Sequence, residues 1–277
     1  MNDDLITKAA IPDDAFQDGR NPYRFATLLR YRYQRPHAAL RTWWEYNRLK
    51  RQAMVFLREL LPEHSESHGL YWEEFFSSAR YFQDLRIRLG PLSWWDFTLR
   101  GVMGFNPLFY VIAKCVRPLC IVETGVAAGY NSYAWLCGLT SNESGKVYSY
   151  DLLPSIETEE RMLWRQWGWK YRPTGATSGW IIPDSCRKYW SLTLGDSVEM
   201  LTATRDALPP VDIFYHDSRH TYEHMTSEFQ LVKNKVRQGG LILADDATEN
   251  RAFAELAEQL GTKTFVFNND LMALRMP

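Results

Sequence analysis

The sequence predicts an α/β fold built on a mainly parallel sheet, and three observations carry that prediction. After residue 118, short apolar runs alternate with helix-patterned stretches, the order that βα units require. The chain then closes with two short runs joined by Asn268-Asn-Asp270, the pattern of an antiparallel hairpin. The 277 residues are 45% hydrophobic and 23% charged, a globular composition that excludes disorder over most of the length.

Each element has its own signal. Residues 38–61 place Leu40, Trp43, Trp44, Leu49, Ala53, Phe56, Leu57 and Leu60 mainly on one face and predict a helix; 72–85 and 107–115 predict two more. The apolar run 119–124 predicts the first strand, closed by Gly125-Val-Ala-Ala-Gly129 and followed by a helix over 131–139. Residues 146–151 form the second strand, and Pro154 opens a helix over 155–167. The segment 168–190, rich in Gly, Pro and Trp, reads as an inserted loop or flap. Residues 191–194 give the third strand with a short helix to Thr204, and 211–216 the fourth with a helix over 221–236. Gln238-Gly-Gly240 turns the chain into the fifth strand at 241–244, a helix covers 249–260, and 263–267 and 271–275 make the hairpin.

Composition changes near residue 118. Residues 1–118 hold 17 Lys/Arg against 13 Asp/Glu, net +4, while 119–277 hold 15 against 20, net −5. Ten of the eleven tryptophans lie before residue 100 or between 164 and 190. We therefore expect a helical region at 1–118 and a sheet domain at 119–277, with the tryptophan-rich parts closing over the sheet's carboxyl edge to exclude water and hold an acceptor.

A net charge of −1 removes the global electrostatic case for nucleic acid. Residues 20–58 are locally basic, with ten Lys/Arg, one acid and interleaved aromatics, which suits RNA or an anionic membrane; a solvated helix face packing its aromatics inward explains the pattern better. No apolar run reaches membrane-spanning length, and Met1-Asn-Asp-Asp lacks a signal-peptide pattern, so a cytoplasmic protein is expected. Cys115, Cys120, Cys137 and Cys186 form no CxxC pair and read as buried thiols.

The chemistry gathers at the strand ends. A glycine turn after the first strand, with Gly125 and Gly129, lets backbone approach a nucleotide cofactor; Ala127 stands where a dinucleotide fingerprint needs its second glycine, which argues against a dehydrogenase. Asp151, ending the second strand, is placed to accept from ribose hydroxyls, or else caps the next helix. Asp196 and Ser197, after the third strand, suit an adenine edge or a helix N-cap.

These segments resemble the ordered motifs of class I S-adenosylmethionine-dependent methyltransferases: Ile121-Val-Glu-Thr-Gly-Val-Ala-Ala-Gly-Tyr-Asn-Ser132, Tyr150-Asp151, Gly195-Asp196-Ser197, the run from Val211 to Tyr222, and Gly239-Gly-Leu-Ile-Leu-Ala-Asp-Asp246. Asp217-Ser-Arg-His220 with the Asp245-Asp246 pair is similar to bacterial small-molecule O-methyltransferases, including those of macrolide sugars. The resemblance covers 119–277. It implies a Rossmann-like seven-stranded sheet, S-adenosylmethionine held by Glu123, Gly125, Gly129, Ser132, Asp151, Asp196 and Ser197, and Mg²⁺ in the metal-dependent members.

Asp217 and the Asp245-Asp246 pair end the fourth and fifth strands, neighbours about 4.8 Å apart in that family's strand order, so their carboxylates can converge on one cation. An all-oxygen set of this kind suits Mg²⁺. The competing reading makes Asp217 and Asp246 helix caps. His220, three residues past Asp217, has the side chain suited to take a proton from a hydroxyl, with His216 and His224 as competitors; in the resembling sugar enzymes the matching residue is the base. The expected activity is O-methylation of a hydroxyl on a small molecule, a sugar or natural product. Metal-free N- or C-methylation, and a cofactor-holding protein docking through residues 20–58, are the rivals. Assembly into identical copies is left open.

Overall fold

The computed structural model describes residues 36–89, 105–152 and 177–277. The helix expected over 155–167, the first half of the 168–190 segment and the start of the basic stretch lie outside those residues. The chain divides into two compact units, Met1–Val116 and Arg117–Pro277.

In the first unit the described helices are α1 (Pro36–Leu60), α2 (Ser65–Ser77), α3 (Ala79–Leu89) and α4 (Asn106–Val116). The single helix expected over 72–85 is two, because Ser78 leaves helical geometry at ψ 90°. Serines compete for backbone hydrogen bonds, and Ser77-Ser78 is the local weak point. Trp72, Phe75, Phe76 and Phe82 are buried, with Phe75 and Phe76 edge-to-face at 5.3 Å. Within the basic stretch Lys50 pairs with Glu73 at 2.6 Å, so one of its charges is met inside this unit.

The second unit is a seven-stranded sheet: β1 (Cys120–Thr124), β2 (Lys146–Asp151), β3 (Trp190–Leu194), β4 (Val211–His216), β5 (Val236–Ala244), β6 (Thr264–Phe267) and β7 (Leu271–Arg275), in the order β3-β2-β1-β4-β5-β7-β6. The first five are parallel, and β7 inserts antiparallel between β5 and β6. The largely apolar β1 and β4 suit interior strands covered on both faces, and every residue of both is buried, Glu123, Asp212 and His216 included. Helices α5 (Tyr130–Asn142), α6 (Ser197–Thr204), α7 (Tyr222–Val232) and α8 (Ala252–Leu260) connect them.

Strand β5 starts five residues earlier than expected. Pairing steps from Val211 with Val236 to Ile213 with Leu241, so the Gly239-Gly240 pair is a bulge inside the strand instead of a turn before it. Gly239 at φ +72° makes that irregularity inexpensive. Because the strand claims Val236, α7 stops at Val232. Helix α8 begins at Ala252, where the Asn250 side chain accepts from the Ala252 N–H at 2.9 Å.

On one face of the sheet Val122, Phe214, Ile242 and Leu274 pack with Met225, Phe229, Phe253 and Leu256 in one buried cluster. Phe229 sits at its centre, edge-to-face with Phe214 and Phe253. All four cysteines are free thiols, and burial pushes Cys115 and Cys120 up to about 12, which makes them unreactive. Among the described residues no helix is long and apolar enough to cross a membrane.

Candidate functional site

The connections from β1 run to opposite sides: β2 and β3 lie on one flank, β4 and β5 on the other. That reversal opens a crevice beyond the carboxyl ends of β1 and β4, the usual ligand site of open α/β sheets. Backbone bonds extend the ladder past the strand ends, Asp217 N–H to the Thr124 carbonyl (2.8 Å) and Asp245 N–H to the His216 carbonyl (2.9 Å). They hold Asp217 and Asp245 side by side, as the sequence expected.

The converging acidic set differs from the expected one: among the described residues Asp270 joins Asp245 and Asp246, and Asp217 lies outside it. Asp245, Asp246 and Asp270 each bring a carboxylate oxygen within 4.8 Å of the others. Burial, then the neighbouring carboxylates, raises Asp245 well above the ordinary range. Asp217 rises to about 7, and burial with its Asp246 contact lifts Asp270 to about 6. One oxygen of Asp217 is already spoken for: Oδ2 accepts from Asn131 Nδ2 at 2.8 Å and from the Tyr215 hydroxyl at 3.1 Å. Asp270 was missed because a hairpin-turn acid carries no signal by itself. The signal lies in the register: Ala244 pairs with Met272, which brings the 268–270 turn beside residues 245–246.

His220 lies just ahead of α7, whose N-cap is Thr221, and not on the helix. Its Nε2 is 4.0 Å from Asp217 Oδ1 and 3.8 Å from Asp246 Oδ2. Burial, then the His216 ring, lowers it to about 4, so its lone pair is available at neutral pH. The competing histidines are occupied elsewhere. His216 is fully buried with Nδ1 2.7 Å from Glu228 Oε2, and His224 Nε2 lies 3.0 Å from Glu228 Oε1 and from Ser197 Oγ.

Glu228 is the second residue that the sequence did not reveal. A glutamate in the middle of α7 reads as a surface acid, yet it is fully buried. It also accepts from Thr124 Oγ1 (2.7 Å), Ser218 Oγ (2.8 Å) and Ser197 Oγ. Burial alone would raise its carboxyl, but the imidazoles of His216 and His224 hold it well below the usual carboxylate range.

The expected cofactor residues divide into two groups. Ser197 is turned into the Glu228 cluster, and Asp196 caps α6, accepting from the Val198 N–H (3.0 Å) and Glu199 N–H (3.2 Å), so for Asp196 the helix-cap reading describes what is seen. Ser132 is buried, donating to Glu123 Oε2 at 2.6 Å beside Ser149 at 2.7 Å. Glu123 itself is fully buried and raised to about 7 by burial, and its Oε1 has no partner among the described residues. Both glycines answer to protein neighbours: a Cβ on Gly125 would sit 1.7 Å from the Asp217 carbonyl oxygen, and one on Gly129 would sit 2.9 Å from Gly179 Cα. Asp151 stands at the end of β2, partly exposed, with Oδ2 accepting from the Ala127 N–H at 3.2 Å.

A family described as Methyltransferase domain matches residues 122–247. No curated protein matches the sequence. Among solved structures, the O-methyltransferase TomG from Streptomyces achromogenes, involved in tomaymycin synthesis and solved with SAM, is 14% identical, with 62% of this chain and 79% of that chain covered and a TM-score of 0.43. An O-methyltransferase from Bacillus cereus in complex with SAH is 14% identical over 70% of this chain and 96% of that one, with a TM-score of 0.41. The SAH-bound methyltransferase PaMTH1 of Podospora anserina is 13% identical over 62% and 77%, with a TM-score of 0.43. These are likenesses of fold.

Proposed function

Starting from the match of residues 122–247 to a methyltransferase domain family and from the strand order, we propose that the chain is a class I S-adenosylmethionine-dependent O-methyltransferase acting on a hydroxyl of a small molecule, with Mg²⁺ assistance and His220 as base. One observation carries the reading: His220 Nε2 stands within 4.0 Å of two carboxylates of an acidic set at the sheet's switch point.

The donor set fits a hard divalent cation. Asp217, Asp245, Asp246 and Asp270 offer only oxygen, and burial raises the carboxyls of Asp217, Asp245 and Asp270, a tendency that a bound cation would oppose. Asp245, Asp246 and Asp217 would hold the ion, with Asp270 as a further ligand. For the cofactor, Asp151 would accept from ribose hydroxyls, and the Glu123 Oε1 acceptor at the end of β1 suits a cationic amine. When bound, S-adenosylmethionine supplies an electrophilic methyl on a sulfonium, and Mg²⁺ lowers the cost of ionising a hydroxyl.

The residues of this chain then have two tasks. The strand ends hold the acceptor oxygen in line with the methyl, which supplies effective concentration. His220 Nε2 takes the hydroxyl proton as the oxygen–carbon bond forms and the carbon–sulfur bond breaks, leaving an ether and a thioether. The proposal assigns acceptor selection to residues 1–118 and 168–190, the parts set apart by their tryptophans, and includes the cytoplasmic location and natural-product role expected from the sequence.

The test is transfer of a labelled methyl from S-adenosylmethionine to a panel of hydroxylated sugars and phenols, with Mg²⁺ or with EDTA. The expected result is transfer to oxygen that stops on chelation and returns with Mg²⁺. Transfer that survives exhaustive chelation, or that falls on nitrogen or carbon, contradicts it in favour of the metal-free reading.

A further inference from the structure

We propose that Gly179, in the segment leading into β3, is a positioning residue for the cofactor turn: its N–H holds Ala127 in the left-handed conformation that shapes residues 125–129. The inference rests on the S-adenosylmethionine reading above and deepens it, because the motif segments that carry that reading do not include residues 177–182.

The turn carries an unusual feature. Ala127 has φ +51°, a backbone region in which a side chain is unfavourable and glycine is the ordinary choice. Such a conformation persists only where the surroundings over-determine it. Two contacts do so here. The Ala127 N–H donates to Asp151 Oδ2 at 3.2 Å, and its carbonyl accepts from the Gly179 N–H at 2.9 Å. The next carbonyl, Ala128, accepts from the Ile181 N–H at 3.2 Å, so two alternate residues of the incoming segment grip two successive carbonyls.

The grip needs glycine on both sides. Gly179 itself has φ +69°, and a Cβ there would sit 2.3 Å from Cη2 of Trp190. A Cβ on Gly129 would meet the Cα of Gly179 at 2.9 Å. Trp190 is fixed in turn, its indole N–H donating to Ser149 Oγ at 2.8 Å, and Ser149 donates to Glu123 Oε2 at 2.7 Å. Ile181 and Ile182 are fully buried, which seats the segment in the core, and Ile182 packs against the Gly129 end of the turn. A firm element therefore holds a strained one, and the strained one lies where the cofactor binds.

The probe is S-adenosylhomocysteine, titrated calorimetrically into the full chain at a temperature well below unfolding. Gly179→Ala should weaken binding at least tenfold, and adding Ala127→Gly should restore most of the loss, because glycine holds the left-handed conformation unaided. A defect in packing alone would lower the melting temperature of both variants and show no such rescue. Unchanged affinity in folded Gly179→Ala, or a loss that Ala127→Gly does not repair, overturns the proposal. Hydrogen exchange on the unaltered protein covers the case in which Gly179→Ala does not fold. S-adenosylhomocysteine should slow the amides of Gly179 and Ile181 together with those of residues 125–129, and protection of the turn without them overturns the proposal. Wild-type protein that binds no S-adenosylhomocysteine strikes the cofactor reading and this inference with it, whereas the other contrary outcomes strike Gly179 alone.

Discussion

Two groups of acids meet at the carboxyl edge of the sheet, and they are built in opposite ways. Glu228 is surrounded by donors: Thr124, Ser218, Ser197 and two imidazoles close on its two oxygens, and its carboxyl is held below the ordinary range. Asp245, Asp246 and Asp270 converge on one another with Asp217 at the neighbouring strand end, and Asp217, Asp245 and Asp270 are pushed upward. Burial opposes charge in both groups. What differs is whether protein donors offset it. A carboxylate whose needs are met inside the protein is a tie between elements, here β1, β4, α6 and α7. A group of buried carboxylates that face one another without such donors is where the proposed function places its cation.

The contrast is sharpest in what truncation should do. Glu228→Ala would strand two imidazoles and three hydroxyls in the interior, and loss of one partner of a buried pair costs on the order of 3–5 kcal/mol. Urea unfolding should show a loss of that size, while Asp246→Asn should leave stability unchanged or raise it by easing repulsion. If the two substitutions destabilise equally, the distinction between tie and site is wrong.

Next in size is the base. His220→Ala should lower turnover by about 10² to 10⁴ with cofactor affinity nearly unchanged. A silent substitution would return proton removal to the acceptor itself, because His216 and His224 are committed to Glu228.

The pH dependence of stability should carry opposite signs in the two groups. A raised carboxyl stabilises the fold below its ordinary range and gives that up as pH climbs through its folded value. For metal-free protein, the contribution of Asp217 should therefore fade between about pH 4 and its folded value of about 7. Glu228, held low, contributes above the ordinary range and loses that only in strong acid. Thermal denaturation should accordingly show Mg²⁺ raising the melting temperature at about pH 8 and having little effect near pH 5, where protons already do its work. An equal shift at both would contradict the open-site account.

Much of this arrangement can be read from the sequence, for physical reasons. A buried parallel strand such as Cys120–Thr124 opens on an apolar run, here 119–122, and a glycine turn follows it, so β1 and the 125–129 turn stand out. Asp217 and the Asp245-Asp246 pair follow strands, which places them on one edge whatever the strand order. What escapes is whatever depends on a partner far along the chain. Glu228 becomes a core residue only because His216 and Ser197 meet it. Asp270 joins the acids only through the register of β5 with β7. Ser132 and Ser197 carry hydroxyls suited to a ligand and spend them on buried carboxylates, a choice that local sequence does not record. The glycine pair at 239–240 has the same ambiguity, since a turn and a bulge demand the same residue.

The account turns on the acidic set being a cation site, and Mg²⁺ titrated by calorimetry into protein saturated with S-adenosylhomocysteine tests it most directly. The expected result is one Mg²⁺ per chain, with Asp246→Asn and Asp270→Asn each weakening it by at least about tenfold, or ~1.4 kcal/mol. An unaltered protein that takes up no Mg²⁺, or one whose affinity is the same after both substitutions, would contradict it.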